Sequence, residues 1–377
     1  MFFGVDGVKF KACILMLVTS LAIVGCGSAE RGIIGLAAEP QNGDAANNIR
    51  KHEIFILTSR APDSDPTILF SGKRSSEIGL AKLTVSVPPN HTPGKIESPR
   101  SGIPRPTEHF TATDPAIFAS EGDFVSALQA ELNRRSVHNR NVLVFVHGYN
   151  TTLSEAVLRM GQFVEDSGYE GVPVLFSWAS GGHLLDYVYD MNSVLIARDD
   201  LLLGANLISK TNAKAVDILS HSMGNLLTVE AMRQAKLNGT LNRTGRLRHV
   251  ILAAPDIDAD LFRQQLAPFA DNERQFYILI SHDDRALSFS RILARGVPRV
   301  GNEDVEYLAG LGVTILDLSE IDVNGSNHSK FADSPEIVQL IGKRLSVDGV
   351  GTRNGSDPLL SSVLMLPITV TAATLAR

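Results

Sequence analysis

Short, nearly unbroken apolar runs alternate along this chain with longer stretches in which apolar residues recur every three or four positions. The runs at 141–146, 172–177, 215–220, 249–253, 275–281 and 313–317 read as strands buried on both faces. Between them, 153–167, 184–209 and 223–237 carry helical periodicity. A last helix is expected from Ser334, an N-cap with Pro335 at the first helical position, to about Leu345. Upstream, 122–134 reads as an amphipathic helix with Phe124, Leu128 and Leu132 on one face. Two more strand-like runs lie at 53–59 and 83–87, the second closed by Pro88 and Pro89. The Pro-, Ser- and Gly-rich stretch 90–114 is expected to wrap the surface without forming an element. Strands alternating with helices predict an α/β class: a mostly parallel sheet covered by helices on both faces, with an N-terminal strand extension.

Within that pattern, Ser220-His221-Ser222-Met223-Gly224 closes an apolar run and opens a helical one. A strand, a sharp turn with serine at its apex, then a helix is the geometry of a nucleophile elbow. The turn lifts the Ser222 hydroxyl out of the sheet edge and aims the first helical amides at any negative charge forming beside it. Strand and helix approach closely there, so small residues are needed two before and two after the serine; Ser220 and Gly224 fill these places. An ordinary strand-to-helix turn would show the same five residues.

His147-Gly148-Tyr149-Asn150 follows the strand-like run 141–146. Ahead of a nucleophile elbow, such a loop supplies one amide of an oxyanion hole and the residue after the serine supplies the other. These are the amides of Tyr149 and Met223, with His147 read as structural. A triad then needs an acid and a histidine after the serine. Of the later histidines, His249 opens a strand and His282 closes one, where the acid belongs. His328 lies in the polar loop 324–330 beyond the last strand, which is where the base is expected. Three aspartates compete for the acid: Asp283, Asp284 and Asp256.

Together these pieces resemble the bacterial α/β-hydrolase group DUF900, described as esterase/lipase-superfamily proteins. The resemblance rests on Ile54 through Arg60, Phe145 through Thr152, Leu175 through Ser180 and Tyr187 through Ser193. His221 through Gly224, Ala254 through Asp258 and Asp284 through Leu287 complete it. It spans about residues 50–345, with Ala179 where the group often has proline. The resemblance implies an α/β-hydrolase fold. In related hydrolases the acid commonly lies three residues after a glycine that ends its strand; Ser281 fills that small-residue position and Asp284 follows at that distance. Asp284 is therefore the expected acid, and Asp283 a turn or cap residue.

Composition changes this picture little. The chain has 377 residues, 44% of them hydrophobic, enough for one large core or two small ones. A net charge of −6 without a dense Lys/Arg block argues against a nucleic-acid partner. The two cysteines, Cys13 and Cys26, both lie near the start, so no disulfide framework or cysteine metal cluster is expected in the fold. Lys9 and Lys11 precede the apolar run 12–24, too short for a comfortable membrane span, which ends in Ile23-Val24-Gly25-Cys26. That ending resembles a bacterial lipobox, in which the cysteine is lipidated. The expected organisation is a signal peptide at 1–25, a lipid-anchored tether at 26–50, the hydrolase domain at 51–345 and a poorly ordered tail at 346–377. The localisation it implies is the bacterial envelope, facing the periplasm or exterior.

Other features keep their plainer readings. Trp178 belongs to core packing as readily as to an acyl pocket. Tyr187, Tyr189, Asp190 and Ser193 form a structural hydrogen-bond cluster on a helix. Asp256, Asp258 and Asp260 are loop and cap residues, not metal ligands. The expectation is a serine hydrolase with nucleophile Ser222, base His328 and acid Asp284. It acts on a small-molecule or lipid acyl ester and needs no cofactor or metal. Lipase, thioesterase and acyltransferase chemistry use the same triad. A non-catalytic envelope binding module on the same fold is the rival from another class.

Overall fold

All residues of Asn141–Val146 and Val172–Ser177 are buried, as strands covered on both faces require. The computed structural model describes residues 32–35, 48–323, 327–346 and 369–371. The expected signal peptide, Cys26 and most of the C-terminal tail lie outside the described residues.

The strands are β1 (Arg50–Pro62), β2 (Phe70–Val87), β3 (Thr111–Ile117), β4 (Asn141–Val146) and β5 (Val172–Ser177). They continue with β6 (Ala215–His221), β7 (Leu247–Ala253), β8 (Phe276–Ile280), β9 (Thr314–Asp317) and β10 (Thr369–Thr371). The helices are α1 (Glu121–Arg134), α2 (Leu153–Ser167), α3 (Tyr187–Ile196), α4 (Arg198–Ser209) and α5 (Gly224–Leu237). After these come α6 (Ala259–Leu266), α7 (Arg285–Leu293), α8 (Val305–Gly310), α9 (Lys330–Asp333) and α10 (Pro335–Ser346).

One sheet runs in the order β10-β9-β8-β7-β6-β4-β5-β1-β2-β3. Its centre, from β1 through β5, β4, β6, β7 and β8 to β9, is parallel. The β1–β2–β3 ribbon and the edge strand β10 are antiparallel additions. Alternate side chains of each central strand feed opposite faces. Leu143, Phe145, Leu219 and Ile251 pack with Val157, Met160, Ile337 and Ile341 of α2 and α10. Val144, Val146, Val174 and Leu252 pack on the other face with Leu128, Leu207, Leu226 and Val229 of α1, α4 and α5. This is the mostly parallel sheet, covered on both faces, that the strand–helix alternation predicts, and the α/β-hydrolase fold that the resemblance implies.

The differences from the expected elements lie at the edges. β2 begins at Phe70, well before the expected 83, because its first half is a polar two-stranded ribbon with no apolar run to mark it. β3 starts inside the stretch expected to be elementless; its Pro115 is tolerated because β3 is an edge strand. Within the expected tether, Ile34 is fully buried and its amide donates to the Thr67 carbonyl at 2.8 Å. Within the expected tail, Thr369–Thr371 pairs with β9.

β4 lies between β5 and β6, so the chain leaves β4 toward one side and returns to β6 on the other. Such a switch opens a crevice beyond the carboxyl ends of the two strands. The loop His147–Asn150 and the turn at Ser222 are the segments that leave those ends.

Candidate active site

Ser222 adopts φ 54°, a left-handed backbone that a non-glycine residue holds only when its surroundings impose it. The buried Asn225 imposes it here. Its Nδ2 donates to the carbonyls of Ser222 and Ala253, each at 2.9 Å. The Ser222 amide donates to the Ala253 carbonyl at 3.0 Å, tying the turn to the end of β7. Glycine is required at two places around the serine. A Cβ on Gly224 would lie 2.3 Å from the His147 carbonyl oxygen, and one on Gly148 would lie 2.8 Å from Ser222 Cβ. Gly148 therefore lets the His147–Asn150 loop press directly on the turn at Ser222.

That loop is held from behind. Arg60, buried at the end of the apolar stretch of β1, donates to the carbonyls of Thr151 at 2.6 Å and Ser180 at 3.1 Å, and to Ser177 Oγ at 2.8 Å. Asp190 accepts from Ser180 Oγ at 2.6 Å and from the amides of Gly181 at 2.8 Å and Asn150 at 3.3 Å. His147 stacks on Trp178 with ring centroids 5.1 Å apart, and the indole donates to the His147 carbonyl at 2.8 Å. Burial, and then the Arg60 charge, depresses the His147 pKa to about 3, so this imidazole is neutral. His147 and Trp178 are thus packing residues, as the plainer readings expect. Among the described residues, neither the Tyr149 nor the Met223 amide has a hydrogen-bond partner, leaving two donors beside the elbow.

Asp284 and His328, distant in sequence, meet with Nδ1 to Oδ2 at 2.6 Å. A carboxylate only accepts, so Nδ1 carries the proton and Nε2 is left to exchange one. The other oxygen of Asp284 accepts the Leu287 amide at 3.0 Å, because Asp284 is also the N-cap of α7. His221, directly before the serine, braces His328. Its ring lies 4.7 Å from the His328 ring and its Nε2 donates to the His328 carbonyl at 3.1 Å. Burial, then the neighbouring His328, pushes the His221 pKa well below the usual imidazole range, so it donates as a neutral ring. The Ser222 hydroxyl makes no hydrogen bond among the described residues. In resting hydrolases such bonds are often long and tighten only around substrate.

The other aspartates point elsewhere. Asp283 accepts from Lys330 Nζ at 2.9 Å and from Asn327 Nδ2 at 2.8 Å, so it is a strut of the His328 loop rather than a simple turn residue. Burial opposes its ionisation, but Ser281 and Lys330 outweigh that and hold its pKa low. Asp256 faces Ser290 Oγ at 2.6 Å and Arg299 Nε at 3.2 Å. Asp258 caps α6, as its plainer reading expects. His249 is occupied by Asp217 at 2.7 Å across the neighbouring strands β7 and β6, and His282 is exposed. An apolar cavity of about 400 Å³ lies beside the starts of β6 and β7, lined by Val216, Leu247 and Met232, at the opposite end of the strands from Ser222. It is no acyl pocket for this serine.

Sequence reasoning missed Arg60, Asn225, His221 and Lys330. Arg60 alone carried a signal, a charged residue three positions beyond the apolar run Ile54–Leu57; the other roles depend on contacts the sequence does not display.

Among solved structures, the chain is similar to a lipase B of Aspergillus fumigatus at 15% identity and a TM-score of 0.39, covering 66% of this chain and 62% of that one. It is similar to an esterase of Pyrobaculum calidifontis at 12% identity and 0.38, over 80% of this chain and 87% of that one. An inhibited esterase B of Lactobacillus rhamnosis gives 10% identity and 0.34, over 90% and 96%. The chain spans less than two thirds of the length of the lipase. No curated protein matches it. The family model for DUF900, an alpha/beta hydrolase of unknown function, matches residues 124–344, which hold the His147–Asn150 loop, Ser222, Asp284 and His328. The chain belongs to the DUF900 family of α/β hydrolases.

Proposed function

We propose that the protein is a serine hydrolase that cleaves carboxylic esters through Ser222, His328 and Asp284. The observation that carries this reading is the 2.6 Å Asp284–His328 pair, braced through His221 against a serine in a left-handed turn. His328 Nε2 takes the Ser222 proton as Oγ bonds to the acyl carbon, and the carbonyl electrons move to oxygen. The amides of Met223 and Tyr149 meet that oxyanion. The carbonyl re-forms, the ester C–O bond breaks, and the departing alkoxide takes the proton from Nε2. Water then attacks the acyl-enzyme and gives its proton to Nε2. Collapse releases the carboxylic acid, and the proton returns to Ser222. Asp284 stabilises the imidazolium in both halves. None of these steps needs a cofactor or metal.

The test is a fluorophosphonate probe with a p-nitrophenyl ester series. Labelling that disappears in Ser222→Ala, together with ester turnover, supports the reading. A folded protein that neither labels nor turns over any ester overturns it and favours a binding module. We also propose that Cys26 carries lipid and holds the protein on the bacterial envelope. This rests on the basic start, the short apolar run and the small residues before Cys26.

A further inference from the structure

Two groups of bare apolar side chains flank the mouth of the Ser222 site. One precedes and opens α3: Leu184, Leu185 and Val188 are each more than 70% exposed. The other lies on α7, where Phe289 is 60% and Ile292 73% exposed, with Leu293 beside them. The two elements are neighbours, since Tyr187 Oη and Ser290 Oγ are 3.0 Å apart. Both border the site. The Tyr187 ring lies edge-on to Tyr149 of the oxyanion loop at 5.3 Å, and α7 is capped by Asp284, which holds His328. Soluble surfaces scatter single apolar residues; a cluster of this kind marks an interface.

Charge identifies what the interface meets. Arg285, Arg291 and Arg295 are exposed along the same helix and its end. No acidic residue occurs from 285 to 302, in a chain whose net charge is −6. Two copies packed through this face would set arginines against arginines. A short helix with Phe, Ile and Leu among arginines matches a surface that is anionic outside and apolar just beneath. The apolar run 12–24 and Cys26, if they anchor the chain as proposed, place such a surface within reach.

We propose that α7 and the start of α3 dock on an anionic lipid bilayer, and that Ser222 acts on acyl esters presented from that bilayer. The substrate half of this proposal rests on the serine-hydrolase reading; the docking half does not.

A single label tests docking. The only cysteines are Cys13 and Cys26, so the full chain with both changed to serine and Ile292→Cys takes one environment-sensitive fluorophore at the patch. Its emission should shift to the blue with phosphatidylglycerol vesicles and stay unchanged with phosphatidylcholine vesicles. Adding Arg291→Gln and Arg295→Asn should weaken the response about 10- to 30-fold in lipid concentration. No shift with either vesicle overturns the proposal. So does a shift on raising protein concentration without lipid, which would mean that a second copy covers the face. For the substrate half, Ile292→Asp should lower turnover of a vesicle-embedded ester at least about 10-fold and leave a soluble short-chain ester within about 2-fold. Equal turnover of the embedded ester by both proteins overturns that half. Failure to cleave even the soluble ester, with no fluorophosphonate labelling of Ser222, sinks the hydrolase reading and leaves the fluorescence result standing.

Discussion

Asp283 accepts from the buried ammonium of Lys330 at 2.9 Å, while Asp284, next to it in sequence, accepts from His328 Nδ1 at 2.6 Å. The two aspartates grip the same loop at points two residues apart. One holds its backbone course through Lys330, whose ammonium also donates to the Leu318 carbonyl at 2.9 Å. The other sets the tautomer of the imidazole.

This division predicts unequal losses. Asp284→Asn keeps the shape but removes the charge that stabilises the imidazolium, so kcat should fall about 10² to 10⁴-fold. Asp283→Asn should cost under about 10-fold in kcat but lower stability by about 1–3 kcal/mol, because it leaves the Lys330 ammonium short of its counter-charge. Asp256→Asn should likewise cost under about 10-fold. Ester kinetics and urea unfolding on the three variants decide it. If Asp256→Asn were the most damaging to kcat, the acid would sit after β7 and this assignment would be wrong.

The strained serine gives a second prediction. Ser222→Ala should lose about 10³-fold or more in kcat with little change in stability, since an elbow hydroxyl contributes little to packing. Ser222→Gly should lose as much activity yet gain about 1 kcal/mol, because glycine holds φ 54° without the Cβ penalty. Calorimetry on the pair separates the two effects. A glycine variant less stable than the alanine variant would refute the claim that the elbow stores strain.

The central elements were legible because their burial is two-sided. β4 and β5 are continuous apolar runs, and α2 opens on Thr152 with Glu155 closing a capping box, so both their type and their bounds show in the sequence. The polar half of β2 and edge strands β3 and β10 were not legible, since a strand in solvent or at an edge needs no apolar pattern. The same holds at the site. Ser222, Asp284 and His328 sit at the places the motif and strand order assign. His221 and Asn225 look like ordinary motif residues until the fold shows what each touches. Lys330, at the end of the polar loop, is buried, its ammonium held by the Asp283 carboxylate and the Leu318 carbonyl.

Anchoring gives a third prediction. If Cys26 carries lipid, Cys26→Ser should move the protein from the membrane fraction to the soluble fraction on cell lysis and carbonate washing, leaving esterase activity per molecule on a soluble substrate unchanged. Full membrane retention of the variant would point to another attachment.

The last prediction concerns pH and the support beneath the His328 loop. The buried His91 bridges Asp166 at 2.7 Å and Glu97 at 2.9 Å. Burial pushes its pKa down, but the two carboxylates outweigh that and raise it above 6.5. Burial pushes Asp166 up, and its bonds from His91, the Gly94 amide and Gln162 outweigh that and hold it below 3.8. Gln162 also donates to the Ala332 carbonyl at 2.9 Å, so the cluster reaches α9, four residues beyond His328. The raised histidine contributes stability that is complete below pH 6.5 and is lost as pH rises through its folded value. The depressed aspartate contributes above pH 3.8 and loses that contribution as pH falls through its folded value. The cluster therefore stabilises most between pH 3.8 and 6.5. Melting temperatures of wild type and His91→Gln should differ most inside that window and converge as pH rises through the raised value of His91 in the fold. A difference that stays constant with pH would show that His91 acts through shape alone and carries no charge in the fold.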